Sequence, residues 1–145
     1  MENTTKSYTF YEPNGKITSN LTASLEVFEL VAASSGFNYI EGEYSQEFYY
    51  VKDGLPIEKP PRPDFTYDFN YTSYSWEPNL TIAELKVKNI RNQLLQESDW
   101  TDTVSAQPRL GETLYNAWQT YRQELRDITL QAGYPLEVVF PSPPQ

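Results

Sequence analysis

The chain has 145 residues, 39% of them apolar, no cysteine, no histidine and a formal net charge of −9. That length supports one ordinary domain or two very small ones, and the missing residue types exclude disulfides, thiolate chemistry, zinc sites and any mechanism with imidazole as base. The few scattered Lys and Arg argue against a nucleic-acid partner. No apolar run is long enough to span a bilayer, and Met1-Glu2-Asn3-Thr4-Thr5-Lys6 lacks the design of a signal peptide, so neither a membrane partner nor secretion is expected. The sequons at Asn3, Asn20, Asn70 and Asn79 then read as turn and cap residues.

The halves differ in kind. Residues 1–78 carry five Lys or Arg against twelve Asp or Glu and sixteen of the twenty-two aromatics, whereas residues 79–145 are close to charge balance. In the first half, Asn14-Gly15 after Pro13 separates Ser7-Tyr8-Thr9-Phe10-Tyr11 from Lys16-Ile17-Thr18, the composition of a type I′ hairpin turn. Leu25, Phe28, Leu30 and Val31 then recur at helical intervals and stop at Gly36, predicting a short glycine-capped helix. Asp53-Gly54 joins Phe48-Tyr49-Tyr50-Val51 to Leu55-Pro56-Ile57 as a second hairpin, and Asn70 to Ser73 joins Phe65–Phe69 to Tyr74-Ser75-Trp76 as a third. Between them, Lys59-Pro60-Pro61-Arg62-Pro63 reads as a semi-rigid extended connector, because proline donates no N–H and fixes its own backbone angle.

The second half is helical. Thr81 with Glu84 has the spacing of a capping box, and Leu80 with Leu85 that of a hydrophobic staple. Ala83, Val87, Ile90 and Leu94 form one stripe to about Gln96, and Leu114, Trp118, Tyr121, Leu125 and Ile128 form another. Two matched stripes joined by a turn predict an antiparallel αα-hairpin. The fold class expected is therefore α+β, divided into a small β-rich unit with one short helix (residues 1–58), a proline-rich connector with a bridging hairpin (59–78), and a helical-hairpin module with an extended tail (79–145).

Arg91, Leu94 and Leu95, the corner Ser98-Asp99-Trp100-Thr101, and the helix Trp118-x-x-Tyr121-Arg122-x-x-Leu125-Arg126-Asp127 follow one another before a closing Phe140-Pro141-Ser142-Pro143. In order and spacing this run, over roughly residues 82–144, resembles the C-terminal module of tailed-phage tail assembly chaperones and tail fibre assembly proteins. Phe140 stands where that pattern usually has tryptophan, and Thr101 to Leu110 is a long corner loop followed by Gly111, a mediocre cap. The resemblance implies a protein without enzymatic activity or cofactor, working in the bacterial host cytoplasm by binding a trimeric tail fibre protein. Self-association and retention in the virion are compatible with it.

Bottom-up, Trp118, Tyr121 and Leu125 are stripe residues and read as core, and Ser98 and Asp99 as corner residues that bond nearby backbone N–H groups. Arg122 and Arg126, four apart on a helix flank, read either as a salt-bridge cluster with Asp99, Glu97, Asp127 or Glu124, or as a pair offered to a partner's carboxylates. Tyr44, Tyr49, Tyr50, Tyr74 and Trp76 are the aromatic candidates for a partner surface, since such side chains give large contact area at low entropic cost. A permanent adaptor of the tail and a carbohydrate-binding module with Tyr44, Tyr49 and Tyr74 on sugar faces are the competing readings. The carboxylate pairs Glu41 with Glu43 and Asp64 with Asp68 read as solubilising turns rather than a glycosidase site.

Overall fold

The computed structural model describes residues 4–145; Met1, Glu2 and Asn3, with the first sequon and the start of the chain, lie outside the described residues. The protein is α+β and divides into two compact units, Met1–Glu77 and Pro78–Gln145.

In the first unit, β1 (Lys6–Tyr11) pairs antiparallel with β2 (Ile17–Ala23) on one side and β3 (Asn38–Glu41) on the other, giving the order β2-β1-β3. Helix α1 (Leu25–Ser35) connects β2 to β3 and ends at Gly36 in the left-handed region, as its sequence predicts. Alternation along β1 points Tyr8 and Phe10 to the helix face. Phe28 of α1 closes over them, stacked on Tyr8 at 3.7 Å between ring centroids, with Leu21 and Ala32 packed around the cluster. Burying Phe28 is worth about 1.5–3 kcal/mol. The other helical apolar positions, Leu25, Leu30 and Val31, stay exposed. Strand β3 was not predicted, because Asn38-Tyr39-Ile40-Glu41 is too short to show a period.

The first turn differs from the expected type I′. Gly15 N–H donates to Glu12 O at 2.8 Å and Glu12 N–H to Lys16 O at 2.9 Å, and Gly15 has positive φ whereas Asn14 does not. Pro13 presets the angle of a type I turn, so the loop takes three residues and ends in a glycine bulge. Asp53 and Gly54 both have positive φ and make the I′ turn between β4 (Tyr49–Lys52) and β5 (Leu55–Glu58). The two hairpins meet where Val51 N–H donates to Gly15 O at 2.9 Å. Here Ile17 and Val51 are fully enclosed. The third hairpin, β6 (Tyr67–Asn70) with β7 (Ser75–Pro78), turns on the Asn70 side chain, which accepts from the N–H groups of Thr72 and Ser73.

The second unit opens with α2 (Leu80–Glu97). Its N-cap is Asn79, whose side chain accepts from Ile82 N–H at 3.1 Å, so the helix begins before the predicted Thr81 box. Leu80 and Leu85 are both exposed and make no buried staple, while Glu84 pairs instead with Lys88 one turn on. The expected corner is a longer connection: a 3-10 turn over Asp99–Asp102, a short helix α3 (Ala106–Leu110), then α4 (Glu112–Arg126) and a second 3-10 turn, Asp127–Leu130. Helix α4 lies against α3 as well as α2. Its last turns reach the C-terminal end of α2, and the chain beyond it runs back so that Tyr134 stands beside Glu84. The core holds Ala83, Val87, Ala106, Tyr121, Leu125 and Ile128; Ile90 stays on the exposed side of its stripe. The proline-rich tail then follows α4, tied by reciprocal hydrogen bonds between the Gln131 side chain and the Val139 backbone.

Gly15 is where two backbones come closest in the first unit. A Cβ there would run into the Val51 carbonyl, in a left-handed conformation that other residues avoid. Gly15→Ala is expected to destabilise the chain by about 3 kcal/mol. Urea denaturation checks this, and an unchanged midpoint would mean that the hairpins do not depend on their close approach.

Candidate functional site

Two constellations gather the residues singled out by the sequence, one in each unit. In the second unit the centre is Arg122. It projects from α4 at the end of α2, where the last carbonyls of a helix lack partners and carry the negative end of its dipole. Nη1 donates to Leu95 O at 2.7 Å and to Ser98 Oγ at 2.8 Å; Nη2 lies 3.0 Å from Asp99 Oδ1 and 2.8 Å from Asp102 Oδ2. All four terminal N–H donors are thus matched, and the side chain is only 6% exposed. Ser98 also caps α2 itself, its hydroxyl donating to Leu94 O and Leu95 O, while Thr101 Oγ1 donates to Ser98 O at 2.7 Å.

This geometry accounts for Ser98, Asp99, Thr101 and Arg122 occurring together, whereas Leu94 and Leu95 enter it only through their backbone carbonyls. Trp118 is half-buried rather than enclosed, edge-on to Trp100 at 5.4 Å and to Tyr121 at 5.6 Å, and Trp100 remains exposed at the surface. Leu125 is fully buried. Arg91 lies on the flank of α2 with Nε donating to Asn92, and Asp127 accepts from Gln123 at 3.0 Å. Arg122 is accordingly consumed inside the unit and is not presented to a partner. Arg126 is half-exposed and shares Asp102 at 3.6 Å, so the two arginines tolerate each other through one carboxylate. Asp102 was missed as a partner because the long corner hid how far along the chain the counter-charge would come from.

In the first unit the aromatic candidates are brought together, though mostly against each other. Tyr50 is buried, stacked on Tyr74 at 4.9 Å and tilted against Phe69 at 5.3 Å, which removes it from any surface. Tyr44 meets Tyr49 edge-on at 5.4 Å. Trp76 donates its indole N–H to Pro60 O at 2.7 Å and packs edge-on to Phe69. Two cations from the proline-rich connector complete the cluster. Lys59 Nζ sits 4.7 Å from the Phe69 ring centre, 5.1 Å from Tyr71 and 5.7 Å from Trp76, and donates to Gln46 O at 2.7 Å; the Arg62 guanidinium lies 5.3 Å from the Trp76 ring. Cation–π contacts are worth about 0.5–2 kcal/mol each. The connector is therefore fastened down on the third hairpin, beside a cleft of about 650 Å³ edged by Glu47, Phe48, Glu58 and Asp68.

Tyr49 and Tyr44 keep partial exposure, while the large apolar side chains most open to solvent in this unit, among them Leu30, Phe65, Phe48 and Tyr39, lie outside the set chosen from sequence. Among the described residues no three His, Cys, Asp or Glu come together as metal ligands, and no helix is long and apolar enough to cross a membrane.

Replacing Arg122 by lysine keeps a charge but cannot serve four acceptors from one planar fork. Arg122→Lys is expected to cost about 3 kcal/mol, whereas Asp99→Asn alone should cost less than about 1 kcal/mol because that carboxylate is mostly solvated. Equilibrium urea unfolding of the variants checks both. A pH effect is expected at the start of α2. The Lys88 ammonium and then the Tyr134 hydroxyl hold the Glu84 carboxyl below its ordinary value, so its contribution is present above the unfolded-state pKa and lost as pH falls through the lower folded one. Glu84→Gln should flatten the acid limb of the stability profile followed by circular dichroism.

No curated protein and no solved structure gave a match to the chain. Residues 85–145 match the family model described as phage tail assembly chaperone protein. The matched span starts at Leu85 in α2 and runs through the Arg122 constellation to the end of the tail. Over that span, which makes up most of the second unit, the chain is similar to the phage tail assembly chaperone family.

Proposed function

We infer that the protein is a non-enzymatic assembly chaperone for a phage tail fibre, binding the fibre protein in the host cytoplasm and assisting its folding, trimerisation or attachment. The observation that carries this reading is the match of residues 85–145 to the tail assembly chaperone family. That family accounts for the assembly role and a phage tail partner; the fibre as client comes from the resemblance of the Arg91-to-Pro143 pattern to tail fibre assembly proteins.

The way each unit spends its side chains supports a division of labour. In the second unit the motif residues hold helices together and satisfy helix ends. The first unit leaves Phe37, Tyr39, Phe48 and Phe65 exposed, and aromatic side chains of this kind are enriched at protein–protein contacts. Tyr44, Tyr49, Tyr74 and Trp76 then act by shaping and stiffening this surface, and Arg126 is the member of the arginine pair with a face left for a partner.

Co-expression tests the reading. Fibre protein produced with this chain is expected to be soluble and trimeric in several-fold higher yield than fibre produced alone, measured by gel filtration and resistance to dissociation in detergent. Equal yields would remove the assignment.

A further inference from the structure

The sheet of the first unit stops at β3, whose Tyr39 is half exposed and packs edge-on against Phe28 of α1. Gly42 N–H donates to Ser7 O at 2.7 Å, which fixes the alternation of the β1–β3 ladder: Asn38, Ile40 and Gly42 bond towards β1, and the backbone groups of Tyr39 and Glu41 turn outward. Among the described residues no strand pairs with that outer edge. Tyr39 lies on the same side of the sheet as α1, its ring 4.8 Å from Phe28. Val27, Leu30, Val31 and Ser34 recur at i, i+3, i+4 and i+7 along α1, so the three apolar side chains share one face of that helix. They are solvent-exposed, Leu30 at 70% and Tyr39 at 50%. Phe37, just past the Gly36 cap, is also exposed.

Charge decides what fits there. From Ile17 to Val51 the chain holds five glutamates, Glu26, Glu29, Glu41, Glu43 and Glu47, and not one lysine or arginine. Two of them lie on α1, and Glu41 ends the open edge, bridged to Lys6. A second copy docking through this face would set acidic groups against acidic groups with no cation from the same segment to offset them, and like charges brought together at an interface disfavour such a pairing. We propose that the β3 edge and the exposed face of α1 form the docking site for an extended segment of the client that carries lysine or arginine beside apolar residues. The segment adds a strand to β3, its backbone paired with Tyr39 and Glu41. Its inward side chains rest on Tyr39, Val27 and Val31, and its cations meet Glu26 and Glu41. This deepens the chaperone reading and rests on it. An unpaired edge with an apolar flank is also an aggregation hazard, which occupation by the client removes.

The test uses the full chain and purified tail fibre protein from the same phage genome, with affinity measured by calorimetry and backbone protection by hydrogen exchange. Binding should slow exchange at the Tyr39 and Glu41 amides and weaken as salt is raised. Val27→Lys combined with Leu30→Lys places cations on an already solvated face and should weaken binding at least about tenfold without changing the thermal midpoint. Glu41→Pro removes an outward N–H that β1 does not use and should do the same, while Glu41→Gln should have a smaller effect. If the unmodified chain does not bind the fibre, the chaperone reading fails and takes this site with it. Binding that persists in the lysine and proline variants, or protection confined to other segments, overturns the site and leaves the reading standing. A salt-stable dimer of the unmodified chain that the same variants dissociate would also overturn it, by making a second copy the occupant.

Discussion

The second unit depends on a cation being buried where a helix ends. The C-terminal carbonyls of α2 need donors, and Ser98 supplies one hydroxyl and one N–H locally. The remaining demand is met from α4, twenty-four residues further on, by the Arg122 fork. Burying a guanidinium carries a desolvation cost of several kcal/mol, and the arrangement offsets it with two neutral acceptors on the inner side and two carboxylates on the outer. Because Asp99 and Asp102 stay partly in water, they add charge without a second desolvation cost. One side chain thereby fixes the position of α4 on α2 and the course of the corner between them.

The first unit reaches order by a different route. With a core of little more than Tyr8, Phe10, Phe28, Ile17, Tyr50 and Val51, it has limited apolar area to bury. It compensates with directional contacts: ring on ring between Tyr50, Phe69 and Tyr74, and cation on ring at Lys59. The Gly15 to Val51 hydrogen bond joins neighbouring hairpins. Such contacts are short-range and specific, and they leave the outside of α1 unused. An apolar helix face with nothing of its own to cover is costly in solution, so its retention is better explained by a partner than by folding.

Much of this was legible because local chemistry determines it. Asp53-Gly54 selects its turn, Gly36 its cap, and the Tyr121, Leu125 and Ile128 end of the second stripe its buried face, each without help from distant residues. Where several local solutions compete, the sequence misleads. Pro13 and Asn79 each offered a better-fitting turn or cap than the neighbouring pattern suggested, and the structure takes them. Residues whose role depends on a far segment were the hardest to place. Arg122 could be narrowed to a salt bridge or a binding pair, but its burial depends on the corner bringing Asp102 round. Tyr50 was indistinguishable from the exposed tyrosines until the third hairpin folded over it.

A motif and a binding surface place opposite demands on side chains. Ser98, Thr101 and the two terminal nitrogens of Arg122 are engaged inside the unit, only the buried Arg122 Nε lacking an acceptor, and a client could engage them only by breaking those bonds. Leu30, Tyr39 and the outward backbone of β3 leave solvent-facing surface that a client can cover without disturbing a bond described within the chain. Uncommitted apolar surface is therefore more readily available in the first unit, even though the match to the family model lies in the second. Outside the matched span of residues 85–145, apolar exposure and an unbroken absence of cations coincide between Ile17 and Val51, the stretch from which a client surface is most readily built.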